Sequence, residues 1–348
     1  MRAQRSVFDR PFFLLAAALV ACAHGPPKKP GQLFTGVVFD RYSTLSSNDE
    51  LIRRMMTPLT QKHGKEMLEA TGQKMRDQPI DLAKEKFTVY VPAGDPPKEG
   101  YGLLVFVAPW EEPTKPNFWR PALDKHQFLF VSATGAGNET KVYDRRMPLA
   151  LLAYENMRAR YPVNPARVYI GGLSGGSRVA EMTALGYPDI FRGALLNAGA
   201  DPIGGNDGIH LPSRGLFDLF QRMRIVFITG EHDEQNLHDD LVSRVSMRDR
   251  CVFNVDVRVA PRLAHEPLSP EAFARALDDL EKPFQVDEQK LAECNRNLYG
   301  ELQKRLDAVR AAIDDGDRKR AREQLAAIDT EYGGLAARQL SALDDALR

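Results

Sequence analysis

A short run of glycines around a serine, Gly172-Leu173-Ser174-Gly175-Gly176, constrains this chain more than any other feature of its sequence. The run follows the apolar stretch 167–170 and precedes residues 177–185, whose spacing predicts a helix. Glycines flank such a serine where a strand turns into a helix so tightly that side chains would collide. The pattern therefore predicts a strand, a sharp turn and a helix, with the serine hydroxyl exposed at the end of a sheet.

Short apolar runs recur along most of the chain. The run 103–107 is nearly continuous, as in strands that are buried on both faces of a sheet. Segments with helical spacing, notably 148–161 and 177–185, separate several of these runs. Strands that alternate with helices predict an α/β fold, with a mostly parallel sheet and helices on both faces. The predicted strands are 87–91, 103–107, 128–131, 168–170, 194–196, 225–229 and 255–259.

The N-terminal segment has the features of a targeting signal. Three arginines precede the apolar run 11–21, which is too short to cross a bilayer but fits the core of a signal peptide. The run ends in Leu19-Val20-Ala21-Cys22, which resembles a bacterial lipobox and implies cleavage before Cys22 and its lipidation. By resemblance to the sorting rules of Gram-negative bacteria, Ala23 after the cysteine implies the outer membrane of the cell envelope. The alternative is a plain secretory signal cut near Ala21 or Ala23, which predicts a secreted or periplasmic protein.

Composition and spacing divide the rest of the chain. Residues 48–76 have the spacing of an amphipathic helix with a break near Pro58. Apolar residues recur every three or four positions from 291 to 313, which predicts a helix, and two more helices follow. This tail is interpreted either as a small module that offers a surface for protein contact or as an extension packed on the main domain. The predicted organisation is a signal peptide (1–21), a tether (22–35), an N-terminal helical segment that packs on the core (36–85), an α/β domain (86–284) and a helical C-terminal module (285–348).

Two later residues complete a set that serine chemistry requires. A serine hydroxyl attacks a carbonyl group when a base takes its proton, and the base needs a third group to orient it. Asp233 follows the predicted strand 225–229, where a carboxylate would lie at the same edge of the sheet as Ser174. His265 lies on the loop after the last predicted strand and is the candidate base. Four other carboxylates compete with Asp233 as the acid: Glu231, Glu234, Asp239 and Asp240.

The segments around the serine carry a family resemblance. The stretches 163–176, VNPARVYIGGLSGG, and 187–194, YPDIFRGA, resemble the polyhydroxybutyrate depolymerase and feruloyl esterase-like group of α/β-hydrolases. The resemblance extends over residues 86–282 and implies the α/β-hydrolase fold, with no metal or organic cofactor. It also implies the catalytic roles, which are nucleophile for Ser174, acid for Asp233 and base for His265.

One loop departs from the pattern of this group. Such enzymes usually carry His-Gly after the strand that supplies the oxyanion hole, whereas here Ala108-Pro109-Trp110 follows the strand 103–107. Proline has no amide proton, so Pro109 cannot donate a hydrogen bond. The predicted oxyanion hole therefore combines the amides of Gly175 and Trp110. Since removing one donor typically lowers the rate about a hundredfold or more, the departure weakens the catalytic interpretation.

Two other features belong to the predicted rim of the site. Gly135-Ala136-Gly137-Asn138 follows a strand but lacks the spacing of a dinucleotide fingerprint and the lysine of a P-loop. We interpret it as a turn beside the active-site rim. Trp110 and Trp119 flank an acidic stretch, and they either form a wall of the substrate pocket or pack a long loop.

Cysteines, histidines and charge limit the other possibilities. An oxidising cell envelope permits a disulfide between Cys251 and Cys294, worth on the order of 4 kcal/mol by the chain-entropy model. Two unrelated buried thiols are the alternative. His232 and His238 are six residues apart and do not share a helix face, so no metal site is predicted. The formal net charge of zero argues against a nucleic-acid partner.

These observations predict a serine esterase held at the cell envelope by an N-terminal lipid anchor, with a small-molecule or polymeric ester as its substrate. One alternative is a serine peptidase of the same fold, because the same three residues cleave amides. Another is a non-catalytic lipoprotein that keeps the fold for binding and offers its helical tail as a contact surface. The Ala108-Pro109-Trp110 loop favours this last alternative, and the presence of Ser174, Asp233 and His265 argues against it.

Overall fold

The computed structural model describes residues 31–348. The predicted signal peptide, the lipidation site Cys22 and most of the predicted tether lie outside the described residues. Eight strands form one sheet in the order β1-β2-β4-β3-β5-β6-β7-β8. The strands are β1 (Gln32–Val37), β2 (Phe87–Val91), β3 (Tyr101–Val107), β4 (Phe128–Ala133), β5 (Val163–Leu173), β6 (Gly193–Asn197), β7 (Arg224–Gly230) and β8 (Val255–Ala260).

Helices cover both faces of this sheet. One apolar cluster unites side chains of α4 (Met147–Arg160) and α5 (Gly175–Gly186) with one face. A second unites those of α3 (Arg120–His126) and α8 (Pro270–Glu281) with the other. Both faces of β2, β3, β4, β6 and β7 are therefore buried, which explains their nearly continuous apolar sequences. The helices are α1 (Asn48–Met55), α2 (Pro58–Thr71), α3 (Arg120–His126), α4 (Met147–Arg160), α5 (Gly175–Gly186), α6 (Arg214–Phe220), α7 (Glu234–Asp249), α8 (Pro270–Glu281), α9 (Glu288–Asp314), α10 (Arg318–Tyr332) and α11 (Ala337–Ala346).

The pairing confirms the predicted fold class. Strand β2 pairs antiparallel with both of its neighbours, and the ladders from β4 through β8 are all parallel. This strand order, with an antiparallel β2 near one edge, is that of the α/β-hydrolase fold. Since the parallel strands all end at the same edge, the loops after β3, β5, β7 and β8 can meet there.

The predicted tether over residues 22–35 extends too far. Residues 32–37 form β1, which pairs antiparallel with β2 at the edge of the sheet, with Phe34 opposite Val89. The strand is short and only half-buried, and its sequence follows a stretch rich in proline, lysine and glycine. The sequence therefore gave no prediction of this strand, because an edge strand lacks the strong apolar pattern of a buried one.

The C-terminal helices pack on the α/β domain. Leu302, Leu306 and Val309 of α9 belong to the same apolar cluster as one face of the sheet. Asp329 of α10 accepts a hydrogen bond of 3.1 Å from the Leu59 amide at the start of α2. Of the two interpretations of the tail, the structure supports the one in which the tail is an extension packed on the main domain.

A disulfide and a break between helices link this tail and the N-terminal segment to the core. Cys251 and Cys294 form a disulfide, with their Cα atoms 5.8 Å apart, and so join the end of α7 to α9. Helices α1 and α2 are separated before Pro58, where a break was predicted. Within residues 31–348 no helix is both long and apolar enough to cross a membrane.

Candidate active site

The nucleophile candidate lies on a strained turn between β5 and α5. Ser174 has a positive φ of 56° and a ψ of −127°, a backbone conformation that residues other than glycine rarely adopt. A Cβ at Gly172 would lie 2.6 Å from the Ser177 nitrogen, and one at Gly176 would collide with the Val107 carbonyl oxygen. Both neighbouring atoms belong to the backbone, so the turn closes only when both positions are glycine.

The structure brings the three predicted triad residues together. His265 Nε2 lies 2.9 Å from Ser174 Oγ, and His265 Nδ1 lies 2.7 Å from Asp233 Oδ2. With the ring proton on Nδ1, where the carboxylate accepts it, Nε2 is free to accept the serine proton. The side chain of Asp233 is 7% exposed, whereas that of His265 is 46% exposed and thus open to a substrate.

Three strands of the sheet lead to these side chains. Ser174 follows β5, Asp233 follows β7 at the start of α7, and His265 lies between β8 and α8. The elbow is tied to the next strand because the Ser174 amide donates to the Asn197 carbonyl oxygen over 2.9 Å. The C-terminal edge of the parallel strands thus gathers residues that are far apart in the chain.

The competing carboxylates lie elsewhere. Glu231 accepts from the Arg262 amide, and Asp239 forms an ion pair with Arg178 at 2.8 Å. Asp240 is buried, accepts a hydrogen bond of 2.6 Å from the Thr229 hydroxyl, and has a pKa raised by burial to about 6. Glu234 has no contact with His265 among the hydrogen bonds of residues 31–348.

The sequence reasoning missed Asn236, which holds Asp233, and Arg178, which holds Asn236. Asn236 Nδ2 donates to both carboxylate oxygens of Asp233, over 2.9 and 3.0 Å, and also lies 3.1 Å from His265 Nδ1. Arg178, on α5, donates to Asn236 Oδ1 over 3.3 Å and pairs with Asp201 and Asp239. The only local signal was that Asn236 follows Asp233 by three residues, which places the two on one face of a helical turn.

A buried glutamate links the helix of the nucleophile to the helix that follows the acid. Glu181, on α5, accepts from the Asp201 amide over 2.7 Å and from the Ser243 hydroxyl of α7 over 2.8 Å. Its side chain is almost fully buried, and this desolvation raises its pKa to about 8. The protonated carboxyl group is therefore favoured over a pH range where an exposed glutamate would be charged.

The loop after β3 lies directly against the elbow. A Cβ at Gly176 would lie 3.0 Å from the Ala108 carbonyl carbon, which places Ala108 and Pro109 beside the start of α5. Gly175 is the first residue of α5, so its amide has no partner within the helix. The Trp110 amide makes no backbone hydrogen bond within the described part of the chain. No distance tests whether Trp110 is an oxyanion donor, and this assignment stays a prediction.

An aromatic cleft with a volume of about 460 Å³ is lined in part by Pro267 and Leu268, which follow His265 in the chain. Trp119 is buried in its wall and stacks on Phe273, with the ring centroids 4.3 Å apart. Trp119 Nε1 also donates to the Leu268 carbonyl oxygen over 2.9 Å. Phe118 is 77% exposed and Trp110 is 40% exposed. We call this the aromatic cleft, and its apolar lining consists of Trp110, Pro113, Phe118, Trp119, Pro267 and Leu268.

Other sequence candidates do not converge on a site. His232 and His238 are both exposed, and residues 31–348 contain no group of three histidine, cysteine or acidic side chains that could hold a metal ion. The turn 135–138 does lie beside the elbow, because a Cβ at Gly175 would meet the side chain of Asn138.

The comparisons with known proteins find one short matching segment and several solved structures of low identity. No protein family model matches the chain. A stretch of 45 residues is 44% identical to poly(3-hydroxyalkanoate) depolymerase C from Paucimonas lemoignei, and this stretch covers 13% of the chain and 11% of that depolymerase. The resemblance to the polyhydroxybutyrate depolymerase group is thereby confirmed over a short segment.

Several solved structures are similar at low identity. The S-formylglutathione hydrolase of Staphylococcus aureus is 15% identical, with 56% of this chain and 92% of that chain covered and a TM-score of 0.45. The poly(3-hydroxybutyrate) depolymerase LpqC of Bordetella parapertussis is 18% identical, with 60% and 88% covered and a TM-score of 0.41. Est1E of Butyrivibrio proteoclasticus is 14% identical, with 59% and 98% covered and a TM-score of 0.43. Activity and substrate do not follow from such likenesses, because one fold serves many reactions.

Proposed function

We propose that this chain, whose strand order is that of the α/β-hydrolases, is a serine esterase that works through an acyl-enzyme. The observation that supports the proposal most is the pair of hydrogen bonds at His265, 2.9 Å to Ser174 Oγ and 2.7 Å to Asp233 Oδ2. A serine, a base and an orienting carboxylate in this arrangement are what acyl transfer requires.

In the proposed reaction Ser174 Oγ attacks the ester carbonyl carbon while His265 Nε2 takes the hydroxyl proton. Asp233 stabilises the imidazolium ion that forms, and its burial keeps water from competing for the Nδ1 proton. The imidazolium then gives its proton to the leaving alcohol, and the ester bond breaks. Water repeats the attack on the acyl-enzyme and releases the acid.

The aromatic cleft supports the proposal that the substrate is an ester with a bulky apolar group. The cleft is lined by Trp110, whose loop begins against the elbow, and by Pro267, which is two residues after His265. A volume of about 460 Å³ is within the usual range for small-molecule sites. Phe118 and Trp110 expose apolar surface there that a substrate would cover. The preference for a large apolar ester over an acetyl ester is therefore part of the proposal.

The proposed location is the cell envelope, with a lipid anchor on Cys22. This part rests on the lipobox-like sequence and on the apolar run before it. Mass spectrometry of the N-terminal peptide from isolated membranes would detect a diacylglyceryl group on Cys22. An unmodified N-terminus that begins near Ala21 or Ala23 would instead assign a plain secretory signal.

Labelling of the full-length protein with a fluorophosphonate probe tests the proposed activity. The native protein should label and hydrolyse esters, whereas the variants Ser174→Ala and His265→Ala should not, with turnover lowered on the order of 10⁶-fold. Circular dichroism would check that both variants remain folded. Undiminished turnover in Ser174→Ala would rule out the assignment. A parallel panel of matched esters and anilides separates an esterase from a peptidase, since the probe labels both.

A further inference from the structure

The proposed reaction needs two hydrogen-bond donors at the carbonyl oxygen, and Pro109 in the loop after β3 cannot supply one. Negative charge develops on that oxygen in the tetrahedral intermediate, where fixed donors stabilise it. The Gly175 amide, at the first position of α5, is available as one donor. Pro109 carries no amide proton, so the loop after β3 lacks a donor at that position.

The side chain of Asn138 lies next to the Gly175 donor. A Cβ at Gly175 would collide with Asn138 Oδ1 and lie 2.8 Å from Cγ and 3.1 Å from Nδ2. The terminal amide of Asn138 therefore occupies the space into which any side chain at position 175 would project. This also explains a glycine in the sequence, because the elbow pattern leaves position 175 free to vary.

Asn138 is held beside the oxyanion loop by its own backbone. Its amide donates to the Pro109 carbonyl oxygen over 2.9 Å. The guanidinium group of Arg146, which is 4% exposed, donates to the carbonyl oxygens of Ala136 and Ala108 over 2.8 and 3.1 Å. Arg146 thus joins the turn 135–138 to the loop after β3.

The side-chain amide of Asn138 is free to donate. The residue is exposed, and its side-chain amide makes no hydrogen bond with any other residue in 31–348. Because no partner holds it in one orientation, rotation about its terminal bond can present Nδ2 where Oδ1 now lies. Amide side chains of this kind serve as oxyanion donors in acyl-transfer enzymes.

We propose that Asn138 Nδ2 is an oxyanion donor of this site, acting together with the Gly175 amide. The inference rests on the proposed esterase activity. As Ser174 Oγ bonds to the carbonyl carbon, the electron pair of the C=O π bond moves to oxygen and the serine proton moves to His265 Nε2. The oxyanion accepts hydrogen bonds from Gly175 N–H and Asn138 Nδ2–H until the C–O bond to the alcohol breaks.

The variants Asn138→Ala and Asn138→Asp test this role, with Glu139→Gln as the matched control on the next exposed residue. We expect Asn138→Ala to lower kcat and the rate of fluorophosphonate labelling about 10²- to 10³-fold, with KM almost unchanged. Asn138→Asp, which keeps the shape of the side chain but repels an oxyanion, should lose at least as much. The control should keep native rates, and the melting temperatures of all three variants should match that of the native protein.

The outcomes separate this inference from the proposed function. If the native protein labels and Asn138→Ala labels equally fast, Asn138 is not a donor and the predicted Trp110 amide remains in that role. A rise in KM with kcat unchanged would assign Asn138 to ground-state binding and overturn the inference. If the native protein neither labels nor hydrolyses esters, the proposed function fails and the oxyanion role fails with it.

Discussion

The nucleophile side and the acid–base side of the candidate site are built in different ways. On the nucleophile side, five consecutive residues form the turn, and two glycines let backbone pass against backbone at Ser177 and Val107. On the acid–base side, Asp233 and His265 are 32 positions apart, and side chains of α5 and α7 hold them. Local geometry therefore determines the first side, and tertiary contacts determine the second.

This difference predicts how each side responds to substitution. A change at the elbow acts on the backbone and should alter both folding stability and rate. A change among the side chains around Asp233 should alter the rate while the fold stays intact, because Asn236 and Arg178 donate to the acid or its neighbours at the rim. Four predictions test this contrast.

Asp233→Asn should have the largest effect. The amide would favour the other tautomer of His265, so that Nε2 carries a proton and cannot accept one from Ser174. We expect kcat to fall on the order of 10⁴-fold, measured with the ester panel, while the fold stays native. Glu234→Gln is the control, since Glu234 is the exposed neighbour of Asp233. An equal loss in that control would mean that the acid has been misassigned.

Gly176→Ala should damage the nucleophile side through the backbone. The new Cβ would meet the Val107 carbonyl oxygen, which cannot move without shifting β3. We expect a loss of about 1–3 kcal/mol in the free energy of unfolding and a fall in labelling rate of about 10²-fold. Gly300→Ala in α9 is the control, because nothing lies within 4 Å of its Cβ position. Native stability and rate in Gly176→Ala would contradict a backbone-determined elbow.

Asn236→Ala should damage the acid–base side without affecting the fold. It removes both hydrogen bonds to Asp233, and bonds to a charged group of this kind contribute enough for a loss of about 10- to 100-fold in kcat. Asn236→Asp should in addition move the acidic limb of the kcat/KM profile to higher pH, since a second carboxylate stabilises the imidazolium ion. Gln235→Ala is the matched control. A purely structural role for Asn236 would leave the pH profile of Asn236→Asp in place.

Glu181→Gln should have the smallest effect on turnover and a distinct effect on stability. Burial raises the pKa of Glu181 from 4.5 to about 8, so the folded state binds a proton that the unfolded state releases between these values. The native protein should therefore lose stability as the pH rises through this window, by up to about 1.4 kcal/mol per pH unit.

Urea unfolding at several pH values between 4.5 and 8 would measure this slope. Glu181→Gln cannot ionise, so its stability should fall less steeply than that of the native protein over the same range. The buried Asp240 is present in both proteins, so the difference between the two slopes reports mainly on Glu181. Parallel curves for the two proteins would mean that the Glu181 carboxyl group is not the source of the slope.

Much of the fold was readable from the sequence, because buried strands and amphipathic helices impose regular spacing on it. All seven predicted strands were found, and α1 and α2 are separated near Pro58 as expected. The strand β1 was missed since an edge strand that is only half-buried needs no continuous apolar run. The spacing of the tail predicts its helices. Their packing on α2 depends on contacts that no local pattern encodes, such as the hydrogen bond from the Leu59 amide to Asp329.

The sequence by itself determined the elbow, the mostly parallel sheet that alternating strands and helices imply, and the identity of three residues suited to acyl transfer. Backbone sterics and side-chain periodicity act over a few residues, so short sequence patterns are enough to predict their effects. Only the tertiary structure decided that Asp233 rather than its four neighbours faces His265, that Asn236 holds Asp233 and Arg178 holds Asn236, and that Asn138 lies against Gly175. These contacts join residues separated by tens of positions, and they exist only once the sheet has brought its loops to one edge.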